Sequence, residues 1–137
     1  MAETVRKVDY FYIETPDKPG EGAKVLAALR DAGVNLLAFT GFPQGRRAQL
    51  DFIPDDALTF QIAARKAGLK LSAKKTGFLI QGEDRPSAFA DIMGKLAAVN
   101  VNVTASDAVC AGEGRYGAML WVKPADVRKA AKALGAS

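Results

Sequence analysis

Apolar positions along the chain fall into short blocks whose spacing alternates between the two-residue period of a strand and the three-to-four-residue period of a helix. Val8–Glu14 (VDYFYIE) is dense in aromatic and β-branched residues and predicts a strand. Thr15-Pro16-Asp17-Lys18-Pro19-Gly20 carries turn chemistry and predicts a loop. Over Glu21–Ala32 the residues Ala23, Leu26, Ala27 and Leu29 make one helical stripe, and Gly33 is a natural stop. Strands follow at Val34–Phe42 and Arg47–Ile53, joined by a turn at Pro43-Gln44-Gly45-Arg46. Pro54-Asp55-Asp56 opens a helix that runs to Ala67, and Leu69–Ala73 predicts a short fourth strand. The order is βαββαβ.

The pattern then starts again. Lys75–Gln81 predicts a strand, Gly82–Pro86 a loop, Ser87–Ala98 a helix, and Val101–Cys110 and Arg115–Val122 two strands around Gly112-Glu113-Gly114. A last helix begins at Lys123-Pro124-Ala125-Asp126 and ends near Leu134, with no fourth strand after it. The two halves share identities at one constant spacing. Ile13, Asp17, Pro19, Leu29, Val34, Asn35 and Ala38 return as Ile80, Asp84, Pro86, Leu96, Val101, Asn102 and Ala105. Such an offset marks a duplicated structural unit. We expect two units, 1–73 and 74–137, each near the lower size limit for an independent core.

The expected fold class is α+β: two tandem ferredoxin-like βαββαβ units, helices on one face of each antiparallel sheet, the second unit lacking its last strand. Tyr10 and Tyr12 alternate with Phe11 and Ile13, and Met119-Leu120-Trp121-Val122 is apolar on both faces. Strands buried on both sides read this way, so a second sheet or a second chain should cover the open face, which points to a homodimer. Lys75–Gln81 would lie at an exposed edge, which the residues before Val8, or a second chain, should cover.

Composition narrows the function. With 49% apolar and 25% charged residues the chain has the balance of an ordinary soluble domain. Met1 is followed by polar residues, and no apolar run suits a signal peptide or a membrane span, so a cytoplasmic protein without a membrane partner is expected. One cysteine, Cys110, excludes an intrachain disulfide and leaves an inert thiol as the default. Histidine is absent, which removes the commonest general base and metal ligand and argues against an enzyme. No carboxylate cluster has metal spacing, and no cofactor is implied. The net charge of +4 is scattered rather than striped, and Arg115–Val122 reads as a core strand rather than an RNA-binding one.

The polar residues of the repeat carry the candidate chemistry. Asp17-Lys18-Pro19-Gly20, echoed as Asp84-Arg85-Pro86-Ser87, precedes a helix. Asp17 capping the helix is a sufficient structural reading. The functional reading uses the same amides: they attract a carboxylate, glycine admits a ligand to the backbone, and Asp17 receives an ammonium group. Asn35, at the start of the next strand, offers a donor and an acceptor to orient a small zwitterion.

The run DKPGEGAKVLAALRDAGVNL, with its echo DRPSAFADIMGKLAAVNVNV, resembles the ACT domain, a small-ligand regulatory module of βαββαβ topology. The resemblance covers nearly the whole chain as two tandem units. It implies an amino acid bound between the loop after the first strand and the start of the second, often across paired units. That carries onto Asp17, Lys18, Pro19, Gly20, Asn35 and Leu36, and less directly onto Asp84, Ser87 and Asn102. The second copy departs from the pattern at Ser87 and Asn100, where the first has glycine. The first loop is therefore the preferred pocket. The expectation is a non-catalytic regulatory protein that binds an amino acid or similar metabolite and acts on a partner enzyme. Two alternatives stay open: an interaction or structural module with a vestigial pocket, and a ferredoxin-like RNA-binding domain.

Overall fold

A computed structural model describes residues 3–137. The elements are β1 (Thr4–Pro16), α1 (Glu21–Asp31), β2 (Leu36–Gln44), β3 (Arg47–Pro54), α2 (Ala57–Lys66), β4 (Lys75–Glu83), α3 (Ala88–Ala98), β5 (Val103–Gly112), β6 (Arg115–Val122) and α4 (Val127–Leu134). A short 3-10 turn at Pro124–Asp126 leads into α4. The chain divides into two compact units. One, the inserted unit, is Asp9–Lys75; the other, the outer unit, joins the residues up to Val8 with Thr76–Ser137.

In the inserted unit β1 pairs antiparallel with β3, setting Phe11 opposite Phe52 and Ile13 opposite Leu50, and β3 pairs antiparallel with β2. Phe11, Ile13, Leu50 and Phe52 on the sheet bury Val25 and Leu29 of α1 and Phe60 and Ala63 of α2. Three phenylalanines stack in this core, Phe60 lying 5.2 Å from Phe11 and 5.3 Å from Phe52 between ring centroids. Helix α2 begins as its sequence demands: the Asp56 carboxylate accepts from the amides of Leu58 and Thr59 at 3.0 and 3.2 Å.

Leu69–Ala73 is not the expected strand. The Ser72 amide donates to the Tyr12 carbonyl at 2.9 Å, but the Tyr12 amide donates to Ser72 Oγ rather than to a main-chain carbonyl. A hydroxyl that takes the place of a ladder acceptor interrupts the ladder, which is why an alternating pattern failed to become a strand.

In the outer unit β4 pairs antiparallel with β6, and β6 with β5. The order of neighbours places β1 on the other side of β4, and the part of β1 in this unit is its first half, to Val8. The residues before Val8 thus cover the β4 edge, as expected, and stand where the missing fourth strand would be. Ser137 binds this segment, receiving the Lys7 amide at 3.0 Å and donating to the Val5 carbonyl at 3.1 Å. Phe78, Ile80 and Leu120 on the sheet, Ile92 and Leu96 on α3, and Ala130 and Leu134 on α4 form the core.

Met119 and Trp121, for which a second sheet or a second chain was the expected cover, are 4% and 5% exposed within this chain. The reason is Gly77: a Cβ built there would lie 3.2 Å from both Met119 Cε and Trp121 Nε1, so its bare backbone lets those side chains lie flat. Tyr10 and Tyr12 are half-buried. No helix among the described residues is long and apolar enough to cross a membrane.

Candidate functional site

The repeat is conserved in backbone as well as in sequence. Gly20, before α1, has φ 91°, and its counterpart Ser87, before α3, has φ 67°. Gly33, after α1, has φ 77°, and its counterpart Asn100 has φ 60°. Two non-glycine residues are thus held in the left-handed region because the fold requires that turn there. The chain leaves both helices in the same way: Val34 donates to the Leu29 carbonyl and Val101 to the Leu96 carbonyl, each at 3.0 Å.

Neither loop is capped by a side chain. α1 and α3 start from Gly20 and Ser87 with no side-chain cap bond, so the structural role offered for Asp17 does not hold. Asp17, Lys18, Pro19 and Gly20 are exposed, and among the described residues the Asp17 carboxylate has no partner. The amides of Glu21 and Ala88 donate to the Lys18 and Arg85 carbonyls at 3.4 and 3.2 Å, and those of Gly22, Ala23, Phe89 and Ala90 have no intrahelical or side-chain acceptor.

The other predicted residues lie elsewhere. Asn35 is exposed, its Nδ2 donating weakly to Asp55 Oδ2 at 3.4 Å while its carbonyl receives the Asp55 amide at 3.1 Å. Leu36 is half-buried and Asn102 exposed. Asp17–Gly20 precede α1 and Asn35–Leu36 follow it. A helix of 11 residues is about 16 Å long. One copy of the loop and one copy of the asparagine within a unit are therefore too far apart to hold one small ligand. The same holds for Asp84 and Ser87 against Asn102 across α3.

Cavities lie beside both loops. In the inserted unit one of about 350 Å³ is walled by Ile13, Glu14, Glu21, Lys24, Leu69 and Lys70; it adjoins the loop at Pro16 and Glu21, and Asp17–Gly20 do not line it. A more open one of about 540 Å³ lies along Gly68–Ser72 beside Gln61 and Arg65. In the outer unit a cavity of about 330 Å³ is lined directly by Asp84, Arg85 and Ser87, by Ala88–Ala90 of α3, by Ala108–Cys110 of β5 and by Tyr116 of β6.

The electrostatics of that last cavity are specific. Arg85 bonds Asp91 at 2.9 Å and lies 3.7 Å from Glu3, and the bond to Asp91 raises its pKa further. A hydrogen bond to the Asp84 carboxylate pushes the Cys110 thiol above its usual range. Tyr116 is 6% exposed, its hydroxyl has no hydrogen-bond partner among the described residues, and burial first, then Glu3, raises its pKa. Because Tyr116 and Trp121 are both buried, the strand Arg115–Val122 offers no stacking surface for bases. Sequence reasoning passed over Phe89, Val109 and Tyr116, although antiparallel pairing of β4 with β6 already sets Tyr116 opposite Gly82, next to the loop.

No sequence-family profile matches the chain, and no curated protein matches it. Solved structures do. Protein BT0572 from Bacteroides thetaiotaomicron has a TM-score of 0.78 at 20% identity, over 97% of this chain and 88% of that one. The ligand-free regulatory subunit of aspartate kinase from Thermus thermophilus has a TM-score of 0.65 at 20% identity, over 98% and 93%. The regulatory subunit from Thermus flavus has a TM-score of 0.59 at 19% identity, over 98% and 94%. The fold is shared. It is the ferredoxin-like, ACT-type α+β fold expected from the repeat.

Proposed function

We propose that this chain is a non-catalytic regulatory protein that binds an amino acid or a similar small metabolite and passes its occupancy to a partner enzyme. The observation that carries this is the pair of uncapped helix N-termini entered through left-handed residues, on a fold shared with regulatory subunits of aspartate kinase. Free amides attract a carboxylate, and the unpartnered Asp17 suits an ammonium group. Fold likeness alone would not license a function, so the loop chemistry is the weightier support.

Asp17–Gly20 and Asn35–Leu36 sit at opposite ends of α1. A ligand touching both sets therefore needs two copies, and this favours a homodimer in which each ligand bridges chains. Regulation then follows from linkage: the ligand stabilises the state to which it binds more tightly.

The test is a thermal melt with each of the twenty amino acids. At a hundredfold excess over its Kd, a true ligand adds about 2.7 kcal/mol, a shift of several degrees for a chain of this size. Asn35→Ala and Asp17→Asn should weaken a bridging site. Gly20→Val is the harsher variant, because φ 91° strains any side chain. If no amino acid moves the melt, a protein-interaction module is the better reading.

A further inference from the structure

We infer that the outer face of α2, with the groove beside it, is a docking surface for an acidic peptide segment of another protein, one that carries apolar side chains among its carboxylates. The surface includes none of Asp17–Gly20 and neither Asn35 nor Leu36, so it is tested apart from the amino-acid reading.

One helix turns large apolar residues away from the core. α2 buries Phe60, Ala63 and Ala64, yet Leu58 is 67% and Ile62 47% exposed. Among the described residues α1 and α4 expose no large apolar side chain, and α3 only Met93. Residues three and four apart are neighbours on a helix surface, so Leu58, Gln61, Ile62 and Arg65 form one strip opposite the buried side. Gln61 and Arg65 also wall the open groove of about 540 Å³, whose other side is Gly68–Ser72. Strip and groove are therefore continuous.

The charge around this strip selects the occupant. Residues 57–74 hold Arg65, Lys66, Lys70 and Lys74 and no carboxylate, while the rest of the chain is balanced, so this stretch accounts for the whole net charge of +4. The charge read as scattered along the sequence is concentrated here. Arg65 and Lys70 line the groove, both are exposed, and none of the four cations makes an ion pair among the described residues. Lys70 also borders the neighbouring cavity with Glu14 and Glu21 without pairing to either. Asp55 and Asp56 stand at the other end of α2, where Asp56 is engaged as its cap. Cations in a last helical turn complement the helix dipole, which accounts for Arg65 and Lys66. It does not account for Lys70, or for Leu58 and Ile62 facing water.

Other occupants fit less well. A second copy presenting the same face would set like charges against each other. A nucleic acid would answer the charge, but no aromatic side chain lines the groove for base stacking, and Leu58 and Ile62 would lie against phosphates. A lipid surface needs a broader apolar face than two aliphatic side chains. A peptide with carboxylates over Arg65 and Lys70 and apolar side chains over Leu58 and Ile62 uses every part of the surface.

Peptides are selected on the full chain from a randomised display library, and their affinities are measured by fluorescence anisotropy. We expect sequences that mix Asp or Glu with apolar residues. Ile62→Ser and Arg65→Glu should each weaken them about tenfold. Lys70→Glu, beyond the helix, repeats the charge reversal without touching α2 and should act alike. Lys129→Glu, the same change of charge at an exposed position on α4, should leave binding intact. Selected peptides without acidic residues overturn the proposal, as does a selection that yields none. Affinity unchanged by Ile62→Ser, or lost equally in Lys129→Glu, reduces the attraction to net charge and overturns it too. Displacement of the peptides by single-stranded DNA, or by phosphatidylglycerol vesicles, with binding of either undiminished in Ile62→Ser, replaces the peptide with a nucleic acid or a lipid surface.

Discussion

Two glycines show how much a single side chain decides. At Gly82 a Cβ would fall 2.6 Å from Tyr116 Cε1 and 2.9 Å from Glu3 Cγ, whereas at Gly22, on α1, it would meet nothing within 4 Å. Gly82→Ala must push the Tyr116 ring and should cost about 1–3 kcal/mol. Gly22→Ala should stabilise by up to about 1 kcal/mol. Urea unfolding followed by the single tryptophan, Trp121, measures both. Tyr116 itself couples stability to pH. Its raised folded pKa means that its contribution is fully present below the unfolded tyrosine value, about 10, and is lost as pH rises through the folded one. Tyr116→Phe should flatten the alkaline fall in stability and, by removing an unpartnered buried hydroxyl, should not destabilise the ligand-free protein at neutral pH. None of these contacts was legible in the sequence, because they join residues far apart in the chain and depend on which strand lies over which.

Among the elements, the helices are the most legible. Asp56 caps α2 through two amides, so Asp56→Ala should cost about 1 kcal/mol. Asp17→Ala should leave the stability of the ligand-free protein within about 0.5 kcal/mol, since that carboxylate caps nothing. Circular dichroism melts separate the two. In the second copy, Ser87→Gly should stabilise by up to about 1 kcal/mol by relieving a left-handed serine. Strands were read less well, for identifiable reasons. β1 begins four residues before its expected start because its buried positions Val5, Val8 and Phe11 are three apart, breaking the alternation that marks Phe11, Ile13 and Thr15. Leu69–Ala73 alternates and yet is no strand, because Ser72 binds Tyr12 through its hydroxyl.

For the molecule as a whole, β1 matters most, since its first half belongs to the outer unit and its second half to the inserted one. Val5→Asp would bury a charge in the outer core and should lower the stability of that unit by more than 2 kcal/mol, seen as a red-shifted Trp121 emission at reduced urea. The homodimer is tested by light scattering at micromolar concentration with and without amino acids, and a dimer is the expected state. β5, exposed along nearly its whole length, and the partly exposed β2 are the strand edges open to a second chain.

The sequence by itself determined the duplication, the α+β class, the helices and the two loops that precede α1 and α3. These are set by local chemistry: apolar period, turn residues and helix stops all act within a few positions. The sequence marked Ser87 and Asn100 as departures from the first copy, and the structure shows that both keep that copy's left-handed backbone. Only the tertiary structure decided that the residues before Val8 complete the outer sheet, that Trp121 is buried over Gly77 within one chain, and that a cavity joins Asp84 to Val109, Cys110 and Tyr116. It also set Asp17 and Asn35 at opposite ends of α1. Those facts arise from pairing between distant strands, and a one-dimensional pattern records each strand's faces without recording its neighbours.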